Sequence, residues 1–345
     1  MTKKVGILTS GGDAPGLNPV IAGFTRTAIK NGYEVIGFLD GWKGLIEGIY
    51  EPLTLERIEE IVQDGGTILG SSRTNPRKVE NGFEKILDTL KKEDIYAFAA
   101  CGGDDTLGVA KILNEKGANV VGVPKTIDND LEATDQTFGF DTSINIAMEA
   151  IDRLRTTAKS HHRAFVIELM GRHSGWIALE AGLAGNVNAI IIPEYEYSIN
   201  EVCELLRKRH TNKRTYSIIV VAEGVLFPEM KEKIDNAGKD SFGNILLADL
   251  KVGDFLAEEI SKRTDLQVRS VTLGHIQRGG PPSAYDRYLG LRYGSKAAEM
   301  IHEKKFGRMA SLQGTIITDV PIEKAVAERK VVSEDLWLLA KSTFR

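Results

Sequence analysis

Short, almost wholly apolar runs alternate along the chain with longer stretches in which apolar positions recur every three or four residues. The runs at 5–8, 34–38, 97–101, 120–123, 164–170, 188–192 and 216–222 predict strands, because a strand buried on both faces needs no polar alternation, and 267–273, more polar, continues the series. The periodic stretches predict helices over 20–30, after residue 106, from 144 onward, from 176 onward, near 199–209 and near 243–262. In the third of these, Asp141, Thr142 and Ser143 supply cap chemistry, and Ile144, Ala147, Met148, Ile151 and Leu154 form the stripe expected to pack on a core. Residues 225–245 are polar and irregular and predict an exposed excursion. Strands alternating with helices define an α/β chain with mostly parallel sheets.

The polar pattern carries its information at the strand ends. The run at 97–101 stops at Gly102 and Gly103, and Asp104, Asp105 and Thr106 follow at once. The run at 120–123 stops at Pro124 and opens into Lys125, Thr126, Ile127, Asp128, Asn129 and Asp130. Strand, glycine turn, helix, strand and acidic loop make one βαβ unit, and ligands of open parallel sheets bind where such loops leave the carboxyl ends of strands. Backbone N–H groups at a glycine turn and a helix start suit phosphate oxygens. The first strand ends in a similar loop, 9–18, containing Gly11 and Gly12, and residues 65–76 form a third, with Arg73 as its cation. The 9–18 loop is neither a Walker A motif nor a dinucleotide fingerprint. Carboxylates beside such a cradle point to a metal-bound polyphosphate, with Asp128 or Asp130 as a base and Asp104 as a hard oxygen ligand for Mg2+. Carboxylates in loops more often serve as helix caps or Asx turns; two acidic turns side by side weigh against that here.

Charged groups at the later strand ends form a second constellation: Arg163, Arg172, Glu223, Arg269, His275 and Arg278. Arginines in this pattern suit bidentate recognition of a sugar phosphate. Composition narrows the field. With 345 residues the chain has room for two domains, and a formal net charge of −4 argues against nucleic acid or a membrane surface as the main partner. No apolar run approaches the length of a membrane span and the start is not that of a signal peptide, so a cytoplasmic protein is expected. Cys101 and Cys203 lack metal-ligand spacing and read as reduced, buried thiols.

Seven motifs in order, TSGGDAPGLN (9–18), GGTILGSSR (65–73), GGDDT (102–106), PKTIDND (124–130), MGRHSG (170–175), AEG (222–224) and GHIQRGG (274–280), resemble the phosphofructokinase A family over essentially the whole chain. The resemblance implies two doubly wound Rossmann-like domains with the active site in the cleft between them. The phosphoryl-donor domain would be 1–139 with about 276–325, and the fructose 6-phosphate domain 140–275 with the C-terminal tail. It implies transfer of a phosphoryl group to the 1-hydroxyl of fructose 6-phosphate with Mg2+ on Asp104. Asp128 would be the catalytic base, with Thr126, Asp130 and Arg172 supporting the transition state. Gly11, Gly12, Arg73, Gly103, Asp105, Thr106 and Lys125 would hold the donor. Met170, Gly171, Arg172, Glu223, His275 and Arg278 would hold the sugar phosphate. Arg163 and Arg269 would reach it from a neighbouring subunit, so the resemblance also implies self-association.

Two positions separate this chain from the ATP enzymes of bacteria, which typically read GGDGS and PGTIDND: Asp105 and Lys125 stand where those have glycine. The pyrophosphate-dependent members are similar to this chain at both. An aspartate beside an α-phosphate repels it by about 4 kcal/mol for charges about 4 Å apart at an effective dielectric near 20, roughly a thousandfold in affinity. A lysine at the second position suits a compact, highly charged pyrophosphate. The alternatives are an ATP-dependent phosphofructokinase that tolerates Asp105, a kinase of relaxed acceptor choice that also takes sedoheptulose 7-phosphate, or a catalytically dead binding subunit. The last is opposed by the presence of Asp104, Asp128, Asp130 and Arg172. Ala22 and Leu55 occupy positions where bacterial ATP enzymes keep effector-binding arginines, and Arg26 alone of that set is retained, so weak or absent control by ADP or phosphoenolpyruvate is expected. Pyrophosphate chemistry lies near equilibrium, which implies a reversible step in glycolysis or gluconeogenesis.

Overall fold

The computed structural model describes residues 2–211, 214–238 and 246–344. It contains strands β1 (Lys4–Thr9), β2 (Glu34–Phe38), β3 (Tyr50–Pro52), β4 (Ile95–Gly102), β5 (Val120–Pro124), β6 (Ala164–Leu169), β7 (Ala189–Ile191), β8 (Ser217–Ala222), β9 (Val268–Thr272), β10 (Arg308–Gln313) and β11 (Ile316–Pro321). The chain folds as two compact units, one of 1–127, 131–142 and 278–329, the other of 128–130, 143–277 and 330–345.

The first unit holds a seven-stranded sheet in the order β11-β10-β5-β4-β1-β2-β3. Its central pairs are parallel, and β2–β3 and β10–β11 close the two edges antiparallel. Successive side chains serve opposite faces. Val5, Ile7, Ala97 and Ala99 join the core built on helices Leu17–Lys30 and Ala284–His302, whereas Leu8, Phe98 and Ala100 join Leu107, Ala110 and Leu113 of helix Asp104–Glu115. The two helices of the first layer touch backbone to backbone: a Cβ at Gly294 would lie 2.1 Å from the Val20 carbonyl oxygen. Strand order reverses between β1 and β4, so the loops that follow these strands lie side by side at the carboxyl edge.

The second unit holds an all-parallel sheet in the order β7-β8-β6-β9, with β6 at its own reversal point. Strands β6 and β8 are buried along their whole length and β9 is a partly exposed edge. Helix Trp176–Ala184 begins where the sequence predicts. Among the described residues no helix is long and apolar enough to cross a membrane.

Local departures from the sequence expectations have identifiable causes. The helix expected to be capped by Asp141–Ser143 starts earlier, as Phe140–His161. Asp286 takes the capping role, accepting from the Thr142 N–H at 2.8 Å and the Thr142 hydroxyl at 2.5 Å. Burial pushes the Asp286 carboxyl up to about 6 despite these donors. Of the expected stripe, Ala147 and Ile151 are buried, but Ile144, Met148 and Leu154 are only partly covered. The helix expected near 243–262 is two helices, Leu247–Leu250 and Val252–Arg263, broken at Lys251, whose φ is +47°. Its predicted start at 243–245 lies outside the described residues. The excursion at 225–245 contains a short helix, Lys231–Asn236, and its residues 239–245 also lie outside them.

Candidate active site

In the first unit three loops are laced together at the carboxyl edge of β1 and β4. The Ser10 N–H donates to the Cys101 carbonyl at 3.0 Å, and the Gly11 N–H to the Ser72 carbonyl at 3.2 Å. The Ser71 hydroxyl donates to the Gly11 carbonyl at 2.7 Å, and the Thr9 hydroxyl to the Gly70 carbonyl at 2.9 Å. Asn18, fully buried, donates to the carbonyls of Asp64 and Gly65 and accepts from the Ile68 N–H, which ties the 65–73 loop to helix Leu17–Lys30. Gly11 sits at φ +86°, and a Cβ there would lie 3.4 Å from Nζ of Lys125 and 3.8 Å from Oγ1 of Thr106. Glycine takes this backbone conformation without strain and keeps a side chain off these groups.

Lys125 is buried. Its N–H donates to the Gly102 carbonyl at 3.0 Å and its ammonium to the Gly12 carbonyl at 2.5 Å, so the charge lies on the floor of the glycine loop. Cys101 lies within its field; burial pushes that thiol up to about 12 even though the Lys125 charge pulls the other way, which leaves it unreactive. Helix Asp104–Glu115 starts at Gly103 with both aspartates in its first turn, where negative charge is favoured. Asp104 is exposed and accepts the Asp105 N–H at 2.7 Å, Asp105 is half-buried and Thr106 is buried. Arg73 is exposed on the neighbouring loop. Arg278 also reaches this cradle: its guanidinium donates to the Asp13 carbonyl at 2.9 Å and lies 3.2 Å from where a Gly12 Cβ would stand. Thr126 is buried, and its carbonyl accepts from the Thr137 hydroxyl at 2.7 Å.

In the second unit the corresponding loops follow β6, β8 and β9. Beyond Leu169 the chain leaves the ladder, and three successive N–H groups are taken up by side chains. The Met170 N–H donates to Oε1 of Gln277 at 2.9 Å, and those of Gly171 and Arg172 donate to Oε1 of Glu223 at 3.3 and 3.0 Å. Gly171 at φ +148° and Arg172 at φ +51° give the turn its shape, and a Cβ at Gly224 would lie 1.8 Å from the Arg172 carbonyl oxygen. Burial pushes the Glu223 carboxyl above the usual carboxylate range; the Arg172 and Gly171 N–H groups pull it back, and the nearby charge of Asp128 adds to the rise. Asp128 is buried, with its carbonyl accepting from the Ser174 hydroxyl at 3.3 Å. Asn129 takes φ +51°, and the Asp130 carbonyl accepts from the Lys330 N–H at 3.0 Å. His275 is exposed on the turn Gly274–Arg278, and the Arg172 side chain is exposed.

Arg163 and Arg269 stand apart from this group. Arg163 precedes β6 and Arg269 is in register with Phe165, so both lie toward the amino end of the sheet. The length of β6 puts Arg163 about 20 Å from Gly171. Its Nε donates to Oε1 of Gln267 at 3.0 Å. The single constellation read from strand-end charges therefore divides: Arg172 and Glu223 meet at the carboxyl end with His275 on the turn after β9, Arg163 and Arg269 lie at the other end, and Arg278 rests on the Asp13 carbonyl in the first unit. Asn18, Ser174 and Gln277 hold the loops in place without having been singled out by charge. Their signal was position inside the glycine motifs.

Among the described residues no three His, Cys, Asp or Glu side chains gather as a metal cage. An exposed aspartate beside glycine-rich loops suits Mg2+ nonetheless, because this ion keeps several waters and is commonly bound by one or two carboxylates together with substrate phosphates.

Residues 4–301 match the Phosphofructokinase family. The chain is 52% identical over 342 residues to the pyrophosphate--fructose 6-phosphate 1-phosphotransferase of Amycolatopsis methanolica, covering 99% of each chain. It is 44% identical over 332 residues to ATP-dependent 6-phosphofructokinase 3 of Streptomyces coelicolor, covering 96% of this chain and 97% of that one. Its fold is similar to the phosphofructokinase of Pichia pastoris in the T-state, with a TM-score of 0.81 and 30% identity over 99% of this chain; this chain spans 36% of the length of the yeast chain.

Proposed function

This chain belongs to the phosphofructokinase family, and we propose that it transfers a phosphoryl group from pyrophosphate to the 1-hydroxyl of fructose 6-phosphate, releasing phosphate. The observation that carries the donor is the pairing of Asp105 with Lys125 in one glycine cradle. Relatives of either donor preference are similar to this chain, so overall likeness alone does not choose between them. The buried Lys125 ammonium, held on the Gly12 carbonyl, puts a fixed positive charge under the loop. Asp105, half-buried in the first turn of the adjoining helix, opposes a third phosphate and the ribose that would follow it. Pyrophosphate has neither.

Residue roles follow from the positions these residues hold in the family's motifs, together with the chemistry of phosphoryl transfer. Asp128 accepts the proton of the 1-hydroxyl as the oxygen attacks phosphorus, and the departing phosphate carries away the electron pair of the broken P–O bond. Thr126, Asp130 and Arg172 support the charge that develops. Glu223, with one oxygen fixed by two N–H groups, presents the other to sugar hydroxyls, beside Met170, Gly171 and His275. Arg278 and Arg73 serve phosphate oxygens as fixed forks. Mg2+ on Asp104 would neutralise charge on the pyrophosphate oxygens when bound. Arg163 and Arg269 lie at the end of the sheet opposite Gly171, and the family resemblance assigns them to a sugar phosphate held by a second copy, so that the active form is an oligomer.

Without nucleotide hydrolysis to drive it, the reaction runs both ways. Fructose 1,6-bisphosphate and phosphate, with Mg2+, yield fructose 6-phosphate and pyrophosphate at a rate within about tenfold of the forward one. Failure to form fructose 6-phosphate, with enzyme active in the forward direction, contradicts the reading.

A further inference from the structure

Gln277 lies in the turn Gly274–Arg278. It is fully buried, yet both ends of its amide are used: Oε1 accepts from the Met170 N–H at 2.9 Å and Nε2 donates to the Ser143 hydroxyl at 3.2 Å. Three segments meet there: the end of β6, the first turn of helix Phe140–His161 and the turn Gly274–Arg278. We infer that Gln277 is a positioning residue that holds the 170–172 loop and the His275 turn in the geometry that binds the acceptor sugar phosphate, an inference that rests on the function proposed above.

The loop needs such a brace. Residue 170 is where the ladder stops: Glu223 donates its N–H to the Leu169 carbonyl at 2.8 Å, and no strand continues beyond. Gly171 and Arg172 then take positive φ, an arrangement that persists only where surroundings over-determine it. Glu223 fixes two of the three N–H groups and is itself assigned to the ligand; Gln277 fixes the third and, being fully buried, touches no ligand. An apolar side chain of the same length would leave the Met170 N–H buried without an acceptor and the Ser143 hydroxyl without its partner. The two bonds of the Gln277 amide go to Met170 and Ser143, and the link from its turn to the donor cradle is Arg278 on the Asp13 carbonyl, so the larger effect falls on the acceptor.

Two variants separate this from a general packing role. Gln277→Met, of similar length and without hydrogen bonds, raises both KM and the calorimetric Kd for fructose 6-phosphate about tenfold, with kcat falling less and KM for pyrophosphate within about twofold of wild type. Ser143→Ala, which removes only the far partner, gives about a threefold rise and reports on the brace if Gln277→Met does not fold. Unchanged fructose 6-phosphate affinity in a folded variant, or equal rises in both KM values, overturns the assignment. A wild-type protein that binds no fructose 6-phosphate overturns instead the functional reading on which it rests.

Discussion

Asp128→Asn lowers kcat for pyrophosphate-dependent phosphorylation of fructose 6-phosphate by about a thousandfold, with both KM values within about threefold of wild type. The asparagine keeps the shape of the aspartate, and the main chain at 128 stays pinned by the Ser174 hydroxyl on its carbonyl, so the substrate sites are undisturbed. What is lost is an oxygen able to accept the proton of the attacking hydroxyl. Positioned general bases are commonly worth 100- to 10,000-fold, and positioning and charge stabilisation survive the change. The variant has a second signature. The Asp128 charge is one of the influences that raise the Glu223 carboxyl, so removing it makes Glu223 easier to ionise and moves its titration to lower pH. Retention of more than a tenth of wild-type kcat would show that another group takes the proton.

Changing the donor cradle has the next largest effect. Lys125→Met keeps the length of the side chain and removes the charge; kcat/KM for pyrophosphate falls about a thousandfold, the size of one close charge–charge interaction of about 4 kcal/mol at an effective dielectric near 20. Part of that loss comes through the Gly12 carbonyl, which loses the ammonium it accepts from at 2.5 Å. Asp105→Gly works in the opposite sense. It relieves repulsion and opens space at the first turn of helix Asp104–Glu115, raising kcat/KM for ATP by about 100- to 1,000-fold while leaving pyrophosphate use within about tenfold. Initial rates with each donor at fixed fructose 6-phosphate measure both effects. If Asp105→Gly leaves the ratio of ATP to pyrophosphate use unchanged, position 105 does not select the donor.

The parts of this molecule that the sequence discloses are those with local causes. Buried parallel strands are continuous apolar runs, so β1, β4, β5, β6 and β8 stand out, and the glycines that follow β1, β4, β6 and β8 mark tight loops at the carboxyl ends of the strands. Carboxylates and arginines inside those loops announce chemistry by their type. Contacts set by long-range return of the chain are not disclosed. Arg278 follows His275 by three residues, yet its guanidinium rests on the Asp13 carbonyl because the chain re-enters the first unit at this point. Arg163 reads as a strand-end charge like Arg172, but it lies at the wrong end of β6. The cap of helix Phe140–His161 comes from Asp286, far along the chain, so the local Asp141 and Ser143 could not reveal it. Gln277 carries no charge, and its importance comes only from the two groups that the fold brings to its amide.

The measurement that bears most directly on the account is the initial rate with fructose 6-phosphate and Mg2+, run in parallel with pyrophosphate and with ATP at equal concentration. The account predicts turnover with pyrophosphate and a kcat/KM for ATP lower by about a thousandfold. Turnover with ATP equal to or faster than with pyrophosphate would mean that the cradle admits a nucleotide past Asp105, and would contradict the assignment of Asp105 and Lys125 as the residues that choose the donor.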